Sequence, residues 1–124
     1  MNDVDQLFGD FADALRSGDC DALAALVTED AEFWSPGVPA LLGRERVRAA
    51  MRDACEKFRV ERTWDEVERV SGDGFAVSVG IERTVATPRA GGEPVAVTQR
   101  GWTMARRGDD GRWRFARGIT NREA

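Results

Sequence analysis

The stretch that decides the fold runs Gln99-Arg100-Gly101-Trp102-Thr103-Met104-Ala105-Arg106-Arg107, through Gly108-Asp109-Asp110-Gly111, into Arg112-Trp113-Arg114-Phe115-Ala116-Arg117-Gly118-Ile119-Thr120-Asn121. It reads as two strands joined by a tight loop. Side chains alternate along a strand, so Trp113, Phe115, Arg117, Ile119 and Asn121 are expected on one face. A face that begins apolar and then carries an arginine and an asparagine reads as the wall of a pocket.

Upstream, the pattern is helical before it becomes extended. Val4, Leu7, Phe8, Phe11, Ala14 and Leu15 recur at helical spacing, with Asp3 as a cap and Gln6 three residues on. Ser17-Gly18 ends that helix, and Asp19 opens a shorter one carrying Ala22, Leu23, Leu26 and Val27. Ala31-Glu32-Phe33-Trp34 is a short strand, broken by Ser35-Pro36-Gly37. The segment from Gly43 to Phe58 is the clearest helix, with Val47, Ala50, Met51, Ala54, Cys55 and Phe58 on one stripe.

From Val60 the period moves towards two. Val60–Ser71 is an imperfectly alternating strand, Gly72-Asp73-Gly74 a turn, and Phe75–Ala86 a regular alternation. Pro88 to Pro94 is a loop before the hairpin. Helix, helix, strand, helix and four long strands make an α+β domain, with helices packed on one face of an antiparallel sheet.

Composition bounds the function. A chain of 124 residues, 42% hydrophobic and 32% charged, is one ordinary domain spanning 1–124. No apolar run approaches the ~20 residues that span a bilayer, and no basic start precedes an apolar stretch, so the cytoplasm is the expected compartment. Residues 1–34 hold nine acids against one arginine, while residues 89–122 hold eight arginines and three acids. The acidic third offsets the field of the basic hairpin, which argues against nucleic acid as a partner. Cys20 and Cys55 form no metal motif and are expected as reduced, mostly buried thiols. There is no histidine and no tyrosine. The commonest proton shuttle at neutral pH, histidine metal ligands and the serine triad are therefore excluded, and no cofactor is implied.

The order of elements, with Phe11 to Leu15, Leu26-Val27-Thr28-Glu29-Asp30-Ala31, Phe33-Trp34-Ser35-Pro36, Gly43-Arg44-Glu45, Ser71-Gly72-Asp73 and Asp110-Gly111-Arg112-Trp113-Arg114-Phe115, resembles the nuclear transport factor 2-like superfamily. Within it the chain is similar to the SnoaL-like and steroid-isomerase-like branch. The resemblance implies a cone-shaped, curved, mixed sheet wrapped around three N-terminal helices, a cystatin-like α+β barrel. It also implies a small-molecule pocket in the open end and homodimers through the outer sheet face. Members include isomerases, dehydratases, polyketide cyclases and non-catalytic binding domains, so fold alone does not choose among them. Steroid isomerases of this type carry a base aspartate before the proline of the first-strand turn and a tyrosine oxyanion donor. Here Ser35 stands before Pro36 and tyrosine is absent. The histidine–aspartate pairs of related dehydratases and cyclases are absent too.

Within that frame Trp34 falls near the pocket mouth and could stack on a flat ligand, with Ser35 beside it. Trp64 could line the pocket or the core, since Trp64, Val67 and Val70 do not alternate cleanly. Glu82 shares a face with Ser78, Gly80 and Thr84. The rival face of Phe75, Val77, Val79 and Ile81 is more apolar and is expected inside; were the Glu82 face turned inward, Glu82 would be the best general base. Arg117, on the face of Trp113 and Phe115, would be a cation for a ligand oxyanion or a structural partner of an acid such as Asp30. Asn121 and Gln99 are further amide donors. Glu82 abstracting a proton alpha to a carbonyl, with Arg117 or Asn121 holding the enolate, would make a cofactor-free isomerase or cyclase. The other reading is a non-catalytic ligand-binding or dimerisation domain.

Overall fold

The computed structural model describes residues 2–122. Helix α1 (Val4–Ser17) starts where Asp3 accepts the Gln6 N–H at 2.8 Å. It ends where Gly18, at φ 72°, returns its N–H to the last carbonyls. Helix α2 (Cys20–Ala25) is capped by Asp19, which accepts from Ala22 at 3.0 Å. Strand β1 (Val27–Trp34), the two-residue β2 (Leu41–Leu42) and helix α3 (Arg44–Lys57) follow. The strands β3 (Phe58–Gly72), β4 (Phe75–Pro88), β5 (Val95–Arg107) and β6 (Trp113–Asn121) complete the chain. Beyond the expected elements the structure adds β2, which pairs Leu41 with Phe33 after the Pro-Gly break. It also starts β1 at Val27 rather than Ala31, so Leu26 and Val27 lie beyond the end of α2 and not on its stripe.

One curved, six-stranded sheet has the order β2-β1-β6-β5-β4-β3. All neighbours are antiparallel except β1 and β6, which run parallel. Chain-consecutive β3 to β6 form a meander, and β1 reaches β6 because the helices carry the chain across the concave face. Leu7, Val27, Ala31, Val47, Ala105 and Phe115 make one core cluster there. Ala14, Leu15, Leu23, Cys55 and Val60 make a second, beneath α2 and the end of α3.

Two bulges decide which side chains face the helices. On β3, Glu66 pairs with Gly80 and Glu68 with Val79, so Val67 is the extra residue. This is why Trp64, Val67 and Val70 defeat simple alternation. On β6, Phe115 pairs with Ala105 and Arg117 with Met104, so Ala116 is the extra residue. Phe115 and Ala116 are both buried, and beyond them the faces exchange.

The single face expected for Trp113, Phe115, Arg117, Ile119 and Asn121 is therefore two. Phe115 points to the helices. Arg117 and Ile119 stand on the convex face opposite Met104 and Trp102.

β4 also departs from expectation. Ala76, Ser78 and Gly80 are buried on the concave face, while Phe75 and Val79 are 40% and 41% exposed on the other. The small residues are inside because β3 comes close. A Cβ on Gly80 would lie 2.4 Å from the Asp65 carbonyl oxygen and 3.0 Å from the Trp64 ring.

Candidate functional site

The concave side of the sheet encloses a cavity of about 450 Å³ with α1 and α3. That size is usual for a small organic ligand. From α1 come Phe8, Gly9, Phe11 and Ala12, and from α3 Val47 and Met51. Phe33 and Leu41 close the β1–β2 side, and Phe115, Gly118 and Thr120 the β6 side. Opposite stand Arg62, Trp64 and Glu82.

Aromatic packing shapes the apolar wall. Phe115 meets Phe8 edge-on at 5.0 Å and Phe11 at 5.5 Å, and Phe8 stacks on Trp64 at 6.0 Å. The Trp64 indole turns its N–H away from the cavity, donating to Ser78 Oγ at 2.9 Å. Ser78, the one fully buried polar residue among those described, donates in turn to Glu66. Arg69 donates to the same Glu66 at 2.9 Å and to Asp5 at 2.7 Å, with its guanidinium over the Phe8 ring. This chain of bonds satisfies the buried hydroxyl and fixes two aromatic walls. Phe33 lies flat over Gly118, where a Cβ would come within 2.7 Å of its ring.

The polar end is built by β3 and β4. Trp64 pairs with Glu82 and Arg62 with Thr84 across the ladder. Arg62 Nε donates to Thr84 Oγ1 at 3.1 Å and stands 3.6 Å from Glu82 Oε1. The Glu82 side chain is 17% exposed, so a carboxylate and a guanidinium sit together at one end of an aromatic cavity. Gln99 is directly opposite Glu82 on β5 but does not line the cavity. Thr103 lines it, its hydroxyl donating to the Arg117 carbonyl at 3.0 Å.

The remaining expected residues divide. Trp34 and Ser35 lie at the mouth, Trp34 donating to Glu32 at 2.7 Å and Ser35 accepting from Thr120 at 3.4 Å. Trp113 is not in the cavity wall. It packs on the core, its backbone is held by both ends of the Asn2 amide, and Arg107 covers its ring. Asn121 is exposed at the end of β6, paired with Arg100 and away from the cavity.

Arg117 is also outside it. Its Nη1 donates to the Asp30 carbonyl at 2.8 Å and its Nη2 lies 3.5 Å from the Asp30 carboxylate. The bulge at Ala116 puts it there, in a convex groove shared with Glu32, Trp34, Trp102 and Met104. A hydrogen bond from Thr28, with Arg106 and Arg117 nearby, holds the Asp30 carboxyl below its usual value.

Sequence reasoning did not single out Arg62 or Thr103, and took Phe8 and Phe11 only as a helical stripe. The available signal was Arg62 two residues before Trp64 on a strand, which puts both on one face. Among the described residues no group of three cysteine or carboxylate side chains is placed to hold a metal ion.

Residues 8–116 match the family model of the SnoaL-like domain. The chain belongs to the SnoaL-like domain family. Solved structures agree in fold. A conserved protein from Planctomyces limnophilus superposes with a TM-score of 0.87 at 24% identity, covering 95% of this chain and 93% of that one. A ketosteroid isomerase-like protein from Erwinia carotovora atroseptica gives 0.81 at 20% identity, covering 98% and 94%. A putative scytalone dehydratase from Novosphingobium aromaticivorans gives 0.87 at 15% identity, covering 98% and 82%. No curated protein matches the chain in sequence. At such identities the SnoaL-like scaffold is shared and the chemistry is left to the site itself. No helix among the described residues is long and apolar enough to cross a membrane.

Proposed function

We propose that this SnoaL-like protein binds a small, partly apolar carbonyl compound in its cone and acts on it as a cofactor-independent isomerase or cyclase, with Glu82 as general base. The observation that carries the reading is Glu82 itself, a largely buried carboxylate beside Arg62 in an otherwise aromatic cavity. A carboxylate within reach of a carbon alpha to a carbonyl can take its proton, and the adjacent guanidinium can stabilise the enolate oxygen. Phe8, Phe11, Phe33 and Trp64 supply flat surface for the apolar part, with Trp34 and Ser35 at the entrance. Arg62 takes the electrostatic role that sequence reading gave to Arg117, whose position with Asp30 suits structure better than substrate.

The test is proton exchange in deuterated water with a panel of cyclic ketones and phenolic polyketide-like carbonyls. The expected result is deuterium at the alpha carbon in the presence of wild-type protein, reduced by ~10²-fold or more in Glu82→Gln. Equal exchange in both proteins would refute a base role for Glu82.

A second reading keeps the cavity and drops the chemistry, making the protein a non-catalytic binding or dimerisation domain. It is favoured by the convex face, where Trp34, Trp102 and Val79 are 53%, 51% and 41% exposed in one row across β1, β5 and β4. We propose that a second copy of the chain covers this row in either reading.

A further inference from the structure

The two cysteines of the chain lie 35 positions apart yet meet at one place. Cys20 is the first residue of α2, and Cys55 sits in the last turn of α3. The left-handed turn at Gly18 carries the chain directly over Cys55: a Cβ on Gly18 would be 3.8 Å from the Cys55 Cβ. Both cysteines line the same surface cleft, with Gly18, Asp19, Arg52 and Arg89. Both are free thiols, and after burial the neighbouring Cys20 is the next cause that raises the Cys55 thiol.

Their environments differ in a way that assigns roles. Cys20 is half-buried, belongs to neither core cluster, and directs its thiol at the Gly18 carbonyl, 3.7 Å away. Cys55 is buried in the second cluster, and burial pushes its thiol pKa up. Its carbonyl is held by Arg89 Nε at 2.7 Å, and the Arg89 N–H is given to the Lys57 carbonyl at 2.9 Å. The end of α3 is thus held by Arg89, just beyond β4.

We propose that Cys20 and Cys55 are a redox pair that closes to an intramolecular disulfide with a low-molecular-weight disulfide such as oxidised glutathione. The accessible Cys20 thiolate attacks one sulfur of the reagent, forming a mixed disulfide and expelling one glutathione thiolate. Cys55, after giving its proton to solvent, attacks the Cys20 sulfur and expels the second. Two protein thiols lose two protons and two electrons, and the reagent leaves as two reduced thiols. The new bond ties the α1–α2 turn to α3, whose Met51, one turn before Cys55, lines the cavity. In a reducing compartment the pair rests open, and oxidation closes a loop that runs from the start of α2 to the last turn of α3.

The folded wild-type protein is incubated with oxidised glutathione, alkylated with iodoacetamide and weighed intact. The expected product is a monomer lighter by two hydrogens, with neither cysteine alkylated and a Cys20–Cys55 cross-linked peptide after proteolysis. Its melting midpoint is raised, and dithiothreitol reverses the change. In Cys55→Ser the reaction should stop at glutathione on Cys20. Cysteines that stay alkylatable, a glutathione adduct that persists on the wild-type protein, or a disulfide between chains would each overturn the proposal. The wild-type arm stands whether or not the variant folds.

Discussion

Asp110 shows how far single residues can be argued. Its carboxylate accepts two hydrogen bonds from Arg114, at 2.7 and 3.1 Å, and one from the Arg112 N–H at 3.0 Å. Those bonds, Arg114 first, hold its carboxyl well below the usual carboxylate range, and Thr28 with two arginines lowers Asp30 in the same sense. A depressed folded value means stability that is fully present above the unfolded value of 3.8 and is lost as pH falls through the folded one. Urea unfolding followed from about pH 6 to about pH 3 should therefore show falling stability, with a shallower fall in Arg114→Ala. Equal slopes in the two proteins would dismiss the pair as a contributor. The residue types for this contact were visible in the Asp110 to Arg114 spacing. The Arg62–Glu82 contact was not, because it joins strands 20 positions apart whose facing was still open.

Helices were readable because caps and apolar stripes repeat the same information. Asp3, Gly18 and Asp19 mark ends that the α1 and α2 stripes already required. The limits of β3 to β6 at their turns were readable for a similar reason, from Gly72-Asp73-Gly74 and Gly108 to Gly111. The start of β1 at Val27 was not, because Leu26 and Val27 also fit a helical stripe. Facing was not. One extra residue reverses every side chain beyond it, and neither Val67 nor Ala116 carries a letter that marks a bulge. Arg117 and Asn121 were misplaced by that single reversal, while Ile119 still reaches the cavity lining. β4 has no bulge, and there the apolar alternate misled because the convex face also carries large apolar residues. The small face goes inward where the β3 bulge and the Trp64 ring press on it. Gly80→Ala should cost about 1–3 kcal/mol, since its Cβ would meet backbone that cannot turn aside. Denaturant unfolding checks this; a neutral result would mean that the bulge at Val67 yields freely.

As a whole, the molecule has two apolar surfaces, one enclosed by the helices and one open on the convex sheet. The open one crosses β1, β6, β5 and β4 through Trp34, Ile119, Trp102 and Val79. If a second copy covers it, sedimentation equilibrium should give a dimer, and Trp102→Arg a monomer with an unchanged circular dichroism spectrum. A wild-type monomer at micromolar concentration would remove that assignment.

The enclosed surface is the central claim, and thermal shift against flat polycyclic and phenolic carbonyl compounds tests it most directly. A ligand at ~100 times its dissociation constant adds ~2.7 kcal/mol, several degrees in a domain of this size. The wild type and Arg117→Ala should both shift, because Arg117 lies outside the cone. Thr103→Trp, which fills the cone, should not. A shift that survives Thr103→Trp but vanishes in Arg117→Ala would put the ligand in the convex groove and contradict the account.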